Sequence, residues 1–168
     1  MQSLRVLGEL TQRATVDPLV VTTAKKIVRD CGSRADQCEL EAIYNAVKYG
    51  DPSVAPLRNG FKYIADPRFA DYFTSPVDSL KSCLGGACGG DCDDHVGLVC
   101  ALCGALGWKA GLRAWGRKND DGYSHVYAVV LFPKRPPWSQ VVTLDTTVPE
   151  FGLGDEPPKG NVITAWLS

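Results

Sequence analysis

The feature that most constrains this chain is a junction at Cys92. There the glycine-rich stretch Gly85-Gly86-Ala87-Cys88-Gly89-Gly90-Asp91 runs directly into residues 93–106. Within that segment Val96, Val99, Cys100 and Cys103 recur at i, i+3, i+4 and i+7, while Leu98, Leu102 and Ala105 cover a second face. A helix apolar nearly all round is a buried central helix, so the rest of the chain has to pack around it from several sides. Gly107 is placed to close it.

The periodicity on either side predicts two different layers. Residues 19–31 and 38–49 carry apolar side chains at near-helical spacing, with Asp36 and Glu39 placed to cap the second helix and Gly50 to end it. Residues 51–59 read as loop. Phe61, Tyr63 and Ile64 suggest a short extended piece before a turn at Asp66-Pro67, and Ser75-Pro76-Val77-Asp78 opens a further helix. After Gly107 the period becomes strand-like over 109–117, 124–132 and 140–144, with turns at 119–122 and 133–139. The proline-, glycine- and acid-rich tail reads as irregular. Helices first, a buried helix between and antiparallel strands after make an α+β layout. We expect one domain over 1–168, with a helical part to about 80, a core over 81–150 and an irregular tail over 151–168.

Cys92 sits where unpaired backbone N–H groups and the helix dipole favour negative charge. Both stabilise a thiolate, which is the nucleophilic form, and the same N–H groups suit an oxyanion. Asp93 and Asp94 oppose this by repulsion. A nucleophilic cysteine needs a base, and only His95 and His125 are available. His95 follows Cys92 by three residues on the same helix; His125 opens the strand Ser124-His125-Val126-Tyr127-Ala128. Asp145, at the end of Val141-Val142-Thr143-Leu144, is the candidate acid that orients the imidazole. Read singly, each has an ordinary structural role: a packed thiol, a strand histidine, a strand-end acid. A hairpin centred near Arg135 would put His125 opposite Asp145 and Phe132 opposite Trp138, with Cβ atoms about 4.5–5.5 Å apart.

Three blocks in this order resemble the transglutaminase-like superfamily. Gly90-Asp91-Cys92-Asp93-Asp94-His95-Val96 is similar to its Gly-x-Cys-x-Asp-x-Ala signature, Ser124-His125-Val126-Tyr127 to its histidine strand, and Leu144-Asp145-Thr146-Thr147 to its Leu-Asp-Pro-Thr. The close resemblance covers residues 80–150. Val96, Val126-Tyr127 and Thr146 depart from the usual residues without removing a reactive group. The compact Asp-Cys-Asp-Asp-His form resembles small members from bacteria and their phages. The resemblance implies a papain-like core, with Cys92 as nucleophile, His125 as general base and Asp145 as orienting acid. It gives His95 no role, because His95 falls at a variable position. For the oxyanion, the Cys92 N–H is one candidate donor, and Asn59 or Tyr63 another; Asp91 and Ser124 line the expected site. The implied chemistry is acyl transfer on a peptide or protein substrate through a thioester. Hydrolysis is favoured because the chain is short, with protein cross-linking or a non-catalytic assembly module as alternatives.

Other classes find less support. The formal net charge of -1 provides no global field for nucleic acid or anionic membrane, so neither is expected as a partner; a larger phage or bacterial assembly stays open. No apolar run reaches the length of about 20 residues that crosses a bilayer, and the opening MQSLRVLGELTQR lacks a leader pattern. A cytoplasmic or particle-associated protein with reduced thiols is therefore expected. Seven cysteines fit no simple disulfide framework: Cys31 and Cys38 read as structural, and a Cys83–Cys88 bridge is not favoured. The sole Cys-x-x-Cys, Cys100 to Cys103, lies inside the apolar helix and not on a turn, so no metal is expected. The glycine stretch lacks the lysine and hydroxyl of a P-loop, and no cofactor is expected.

Overall fold

The computed structural model describes residues 4–65 and 73–168, and the turn expected at Asp66-Pro67 lies outside them. The described elements are α1 (Leu4–Ala14), α2 (Pro18–Ile27), α3 (Asp36–Lys48), a 3-10 turn at Ala55–Leu57, β1 (Lys62–Tyr63), α4 (Pro76–Leu84), β2 (Gly89–Gly90), α5 (Cys92–Ala105), β3 (Ala110–Gly116), β4 (His125–Phe132), β5 (Gln140–Leu144) and β6 (Asn161–Trp166). The fold is α+β. Strands β5-β4-β3-β6 form one antiparallel sheet, and β1 and β2 form a small parallel pair.

Local chemistry starts these helices where expected. Asp17 caps α2 by accepting from Leu19 N at 2.9 Å, with Pro18 as its first residue. Ser75 caps α4 by accepting from Asp78 N at 3.2 Å. Asp36 does not act as the expected cap. It is the first residue of α3, and its carboxylate accepts instead from Lys134 N at 3.0 Å, while Glu39 pairs with Lys134 Nζ at 2.7 Å and accepts from Trp108 Nε1 at 3.1 Å. These contacts fix the β4–β5 connection against α3.

Helix α5 is the centre of the molecule. Residues 93–103 are all buried, and the helix packs on β3 and β4 with α1 to α4 around it. The sheet's inner face, Leu112 with Val126, Ala128 and Val130, closes the same core. Gly107, at φ +91°, ends the helix as its sequence position implied.

Three expectations are corrected. The tail is not irregular throughout: Asn161–Trp166 pairs antiparallel with β3, Trp166 against Gly111 and Asn161 against Gly116. The β4–β5 register is shifted by two residues, with Phe132 opposite Gln140 and Ala128 opposite Leu144. Pro136 and Pro137 have no N–H for the ladder, so pairing begins beyond them. A shift of two keeps every side chain on its own face, whereas a shift of one would reverse them. Asp145 therefore shares the face of His125 as a diagonal neighbour and is not directly opposite. Finally, the thiols are not all reduced. Cys31 pairs with Cys38 and Cys83 with Cys88, because the α2–α3 and α4–β2 turns bring their Cα atoms to 5.7 and 4.1 Å, leaving Cys92, Cys100 and Cys103 free. Among the described residues no helix is long and apolar enough to cross a membrane, and no group of three or more His, Cys, Asp or Glu is placed to hold a metal ion.

Candidate active site

The segment before Cys92 is held from two sides. Lys62 N donates to Cys88 O at 3.1 Å and Ile64 N to Gly90 O at 2.8 Å, so β1 fixes the glycine stretch that leads into α5. Asp91 then caps α5 in a reciprocal box: its carboxylate accepts from Asp94 N, and the Asp94 carboxylate accepts from Asp91 N, each at 3.2 Å. A Cβ at Gly90 would lie 2.4–2.8 Å from the Asp94 side chain, so the box closes only over glycine. The result sets Cys92, half-buried, as the first residue of the helix.

The sulfur is reached by backbone N–H groups of Val126 and Asp93. Strand register explains the first. Leu131 N bonds Lys109 O, so odd-numbered residues of β4 bond β3 and even-numbered ones point towards β5. That strand stops at Leu144, opposite Ala128, and the next even amide, Val126, is left for the thiol. Burial, reinforced by the Asp93 and Asp91 carboxylates, nevertheless pushes the Cys92 thiol up to about 12, the two N–H bonds only opposing. The expected thiolate-stabilising helix terminus is thus outweighed, and the resting group is a neutral thiol.

His125 opens β4, and its Nε2 lies 2.6 Å from Asp145 Oδ2. Nε2–H donates to the carboxylate, which leaves Nδ1 as the ring nitrogen able to exchange a proton with another group. Asp145 is 1% exposed. Its other oxygen accepts from Thr147 N at 3.1 Å and Thr147 Oγ1 at 2.8 Å. Burial works to raise its pKa, but the bond and charge of His125 together with the Thr147 donors hold it below the ordinary carboxylate value.

His95 is placed elsewhere. It is buried beneath the site, with Nδ1 2.8 Å from Thr146 Oγ1 and its ring edge-on to Phe61 at 4.8 Å. Burial pushes it down to about 4, against the Lys62 backbone and the Asp145 charge, so it stands neutral and ties α5 to the residue after Asp145. Tyr63 pairs with Gly90 two residues before Cys92, its ring 6.3 Å from that of His95. Asp91 is the cap. Ser124 is exposed and its N–H donates to Trp115 O at 2.9 Å. Asn59 lines a cavity of about 390 Å³ with Arg58 and the Cys83–Cys88 bridge, and Cys92 is not part of that cavity. Cys100 and Cys103 are buried thiols with raised pKa values, and Cys100 donates to Gly111 O.

Several contributors escaped the sequence reading. Thr147 had a signal, since an Asp followed two residues on by a donor is a common local turn. Tyr44 and Lys48 had none. From α3, Tyr44 OH donates to Phe151 O at 2.7 Å and Asp145 O at 3.3 Å, and Lys48 Nζ donates to Val148 O, Pro149 O and Phe151 O at 3.0, 3.2 and 2.5 Å. One ammonium thus gathers three carbonyls of the loop that follows Asp145.

Neither a protein-family profile nor any curated protein matches the chain. Among solved structures, LapG of Legionella pneumophila in an EGTA-treated form matches at 17% identity and a TM-score of 0.50, over 87% of this chain and 72% of LapG. At that identity the likeness speaks for architecture alone: this chain has the papain-like α+β fold, with a central helix on an antiparallel four-stranded sheet.

Proposed function

We propose that this protein is a cysteine-dependent acyl-transfer enzyme that hydrolyses a peptide or amide bond, with Cys92 as nucleophile, His125 as general base and Asp145 as orienting acid. The observation that carries the proposal is the 2.6 Å His125–Asp145 bond at the start of the strand whose next amide reaches the Cys92 sulfur. The papain-like architecture shared with LapG agrees with it.

Because the resting thiol is neutral, His125 Nδ1 takes the Sγ proton as the sulfur attacks the substrate carbonyl. Asp145 fixes the ring and stabilises the imidazolium. The oxyanion faces the α5 N-terminus, where the Cys92 N–H is the donor. The imidazolium then protonates the departing amine, leaving a thioester on Cys92. Water, deprotonated by the same histidine, attacks the thioester, releases the acid and restores the thiol.

The test is digestion of a peptide library prepared from a bacterial lysate, with dansyl-cadaverine present, by wild type and Cys92→Ala. New amino termini that vanish in Cys92→Ala support hydrolysis. Dansyl incorporation without new termini would replace hydrolysis by amine transfer. Neither product would make the domain a non-catalytic assembly or binding module.

A further inference from the structure

The sheet face that carries His125 also carries a cavity with no role in the chemistry above. Strand alternation puts Arg113 and Trp115 of β3 on the same face as His125 and Tyr127 of β4, opposite the face built by Leu112, Val126 and Ala128. The chain between β5 and β6 returns past this face, and Trp115 Nε1 donates to Pro158 O at 2.8 Å. A Cβ at Gly160 would lie 2.6 Å from Trp115 Nε1, so glycine permits the close approach. Between this strap and the sheet lies a cavity of about 400 Å³, walled by Arg113, Trp115, Tyr127, Pro157, Pro158 and Val162.

Two walls of the cavity also flank the histidine. Trp115 is the cross-strand partner of His125, and the Tyr127 ring centroid is 5.7 Å from that of His125. Arg113 is half-buried and fixed by Nε donating to Thr164 Oγ1 at 2.8 Å, with its guanidinium beside the Tyr127 phenol. Lys159 and Glu156, both exposed, complete the lining. The lining therefore holds two cations and one carboxylate, and its fixed charge is the guanidinium. A planar guanidinium beside a phenol is a donor set for a carboxylate, and Trp115 with the two prolines offers flat walls for methylenes.

Position supplies the rest. In the reaction proposed above, on which this inference rests, the imidazolium protonates the departing amine, so the leaving portion of the substrate lies on the His125 side of Cys92. We infer that this cavity is the subsite for an acidic side chain on the leaving side of the scissile bond, its carboxylate received by Arg113 and Tyr127 and its methylenes by Trp115 and the strap prolines.

Binding tests this without turnover. Cys92→Ala protein labelled with ¹⁵N-tryptophan, its Trp115 indole signal assigned through Trp115→Phe, is titrated at neutral pH with acetyl-Ala-Glu-Ala-amide and with the Gln and Lys analogues. The expected result is a saturable shift of the Trp115 indole by the Glu peptide, at least about tenfold tighter than by the Gln peptide. In Arg113→Gln that preference should disappear while the other indole signals stay in place. Equal titration by Glu and Gln, a preference for Lys, or no saturable shift at millimolar peptide would overturn the assignment. Glu-selective binding through Arg113 with no hydrolysis by wild type would sink the catalytic proposal and the leaving-side placement with it, while the carboxylate-binding cavity itself would stand. Hydrolysis without Glu-selective binding would do the reverse.

Discussion

Acidification from pH 7.5 to pH 5 should lower the stability of this protein by about 2 kcal/mol through His95 alone. The ring is 2% exposed, bonded to Thr146 and packed on Phe61, and burial pushes its pKa from 6.5 to about 4. The unfolded chain therefore binds the His95 proton more tightly than the folded one does. Stability from this group is complete above pH 6.5, falls as the pH drops towards 4 and levels off below that. One pKa unit is worth about 1.4 kcal/mol, so the full loss is about 3.4 kcal/mol, and about 2 of it is reached at pH 5. Asp145 does not blur this window. Its folded pKa is depressed, so its contribution is intact above the ordinary value of 3.8 and is lost only as the pH falls below that. The assay is urea unfolding at pH 7.5, 6 and 5 for wild type and His95→Gln, which keeps a polar group for Thr146. His125 is present in both proteins and cancels in the difference. Equal pH slopes in the two proteins, or a wild-type loss under about 0.5 kcal/mol, would refute the buried neutral histidine.

Three further perturbations bear on the parts around the site. Asp145→Asn keeps the shape but removes the charge that holds the imidazolium, so kcat on any substrate found should fall by about 10²–10⁴, and the stability that the ionised carboxylate contributes at neutral pH should be lost with it; a fall in kcat under tenfold would deny Asp145 its role. Lys48→Met removes the ammonium that gathers the Val148, Pro149 and Phe151 carbonyls. It should reduce stability by about 1.5–3 kcal/mol and speed deuterium exchange across residues 145–151, whereas unchanged exchange there would show that the loop holds itself. Gly90→Ala drives a Cβ into the Asp94 carboxylate, opening the α5 cap at a loss of about 1–3 kcal/mol in urea unfolding. A neutral outcome would mean that the box is not needed.

Much of the architecture is legible from short-range pattern. Residues 93–106 announce a buried helix because every face is apolar, and the strand boundaries at 140 and 144 follow from a β-branched run ending in an acid. What escaped was set by distant partners. Asn161–Trp166 is an edge strand, exposed over its first three residues, so it lacks the alternation that one buried face imposes. Gly89–Gly90 has no strand propensity and pairs only because Lys62–Tyr63 is brought beside it. Helix α1 (Leu4–Ala14) lies inside the part expected to be helical, although no separate helix is predicted there. The disulfides depend on two turns folding back, which an odd cysteine count cannot reveal. In the candidate site, the side chains of Cys92, His125 and Asp145 could be named from sequence. The Val126 amide could not, since its freedom comes from where β5 stops. The raised thiol pKa could not either, since it depends on how deeply Cys92 sits beside Asp91 and Asp93.

The central claim is that Cys92 is the nucleophile and His125 its base. The most direct measurement is the rate at which p-nitrophenyl acetate acetylates each free cysteine at pH 7.5, read by mass spectrometry and confirmed by hydroxylamine release. The expected result is one acetyl thioester, on Cys92, formed at least about 10² times more slowly in His125→Ala, with Cys100 and Cys103 untouched. Acetylation of Cys92 at an unchanged rate without His125, or no acetylation of Cys92 at all, would contradict it.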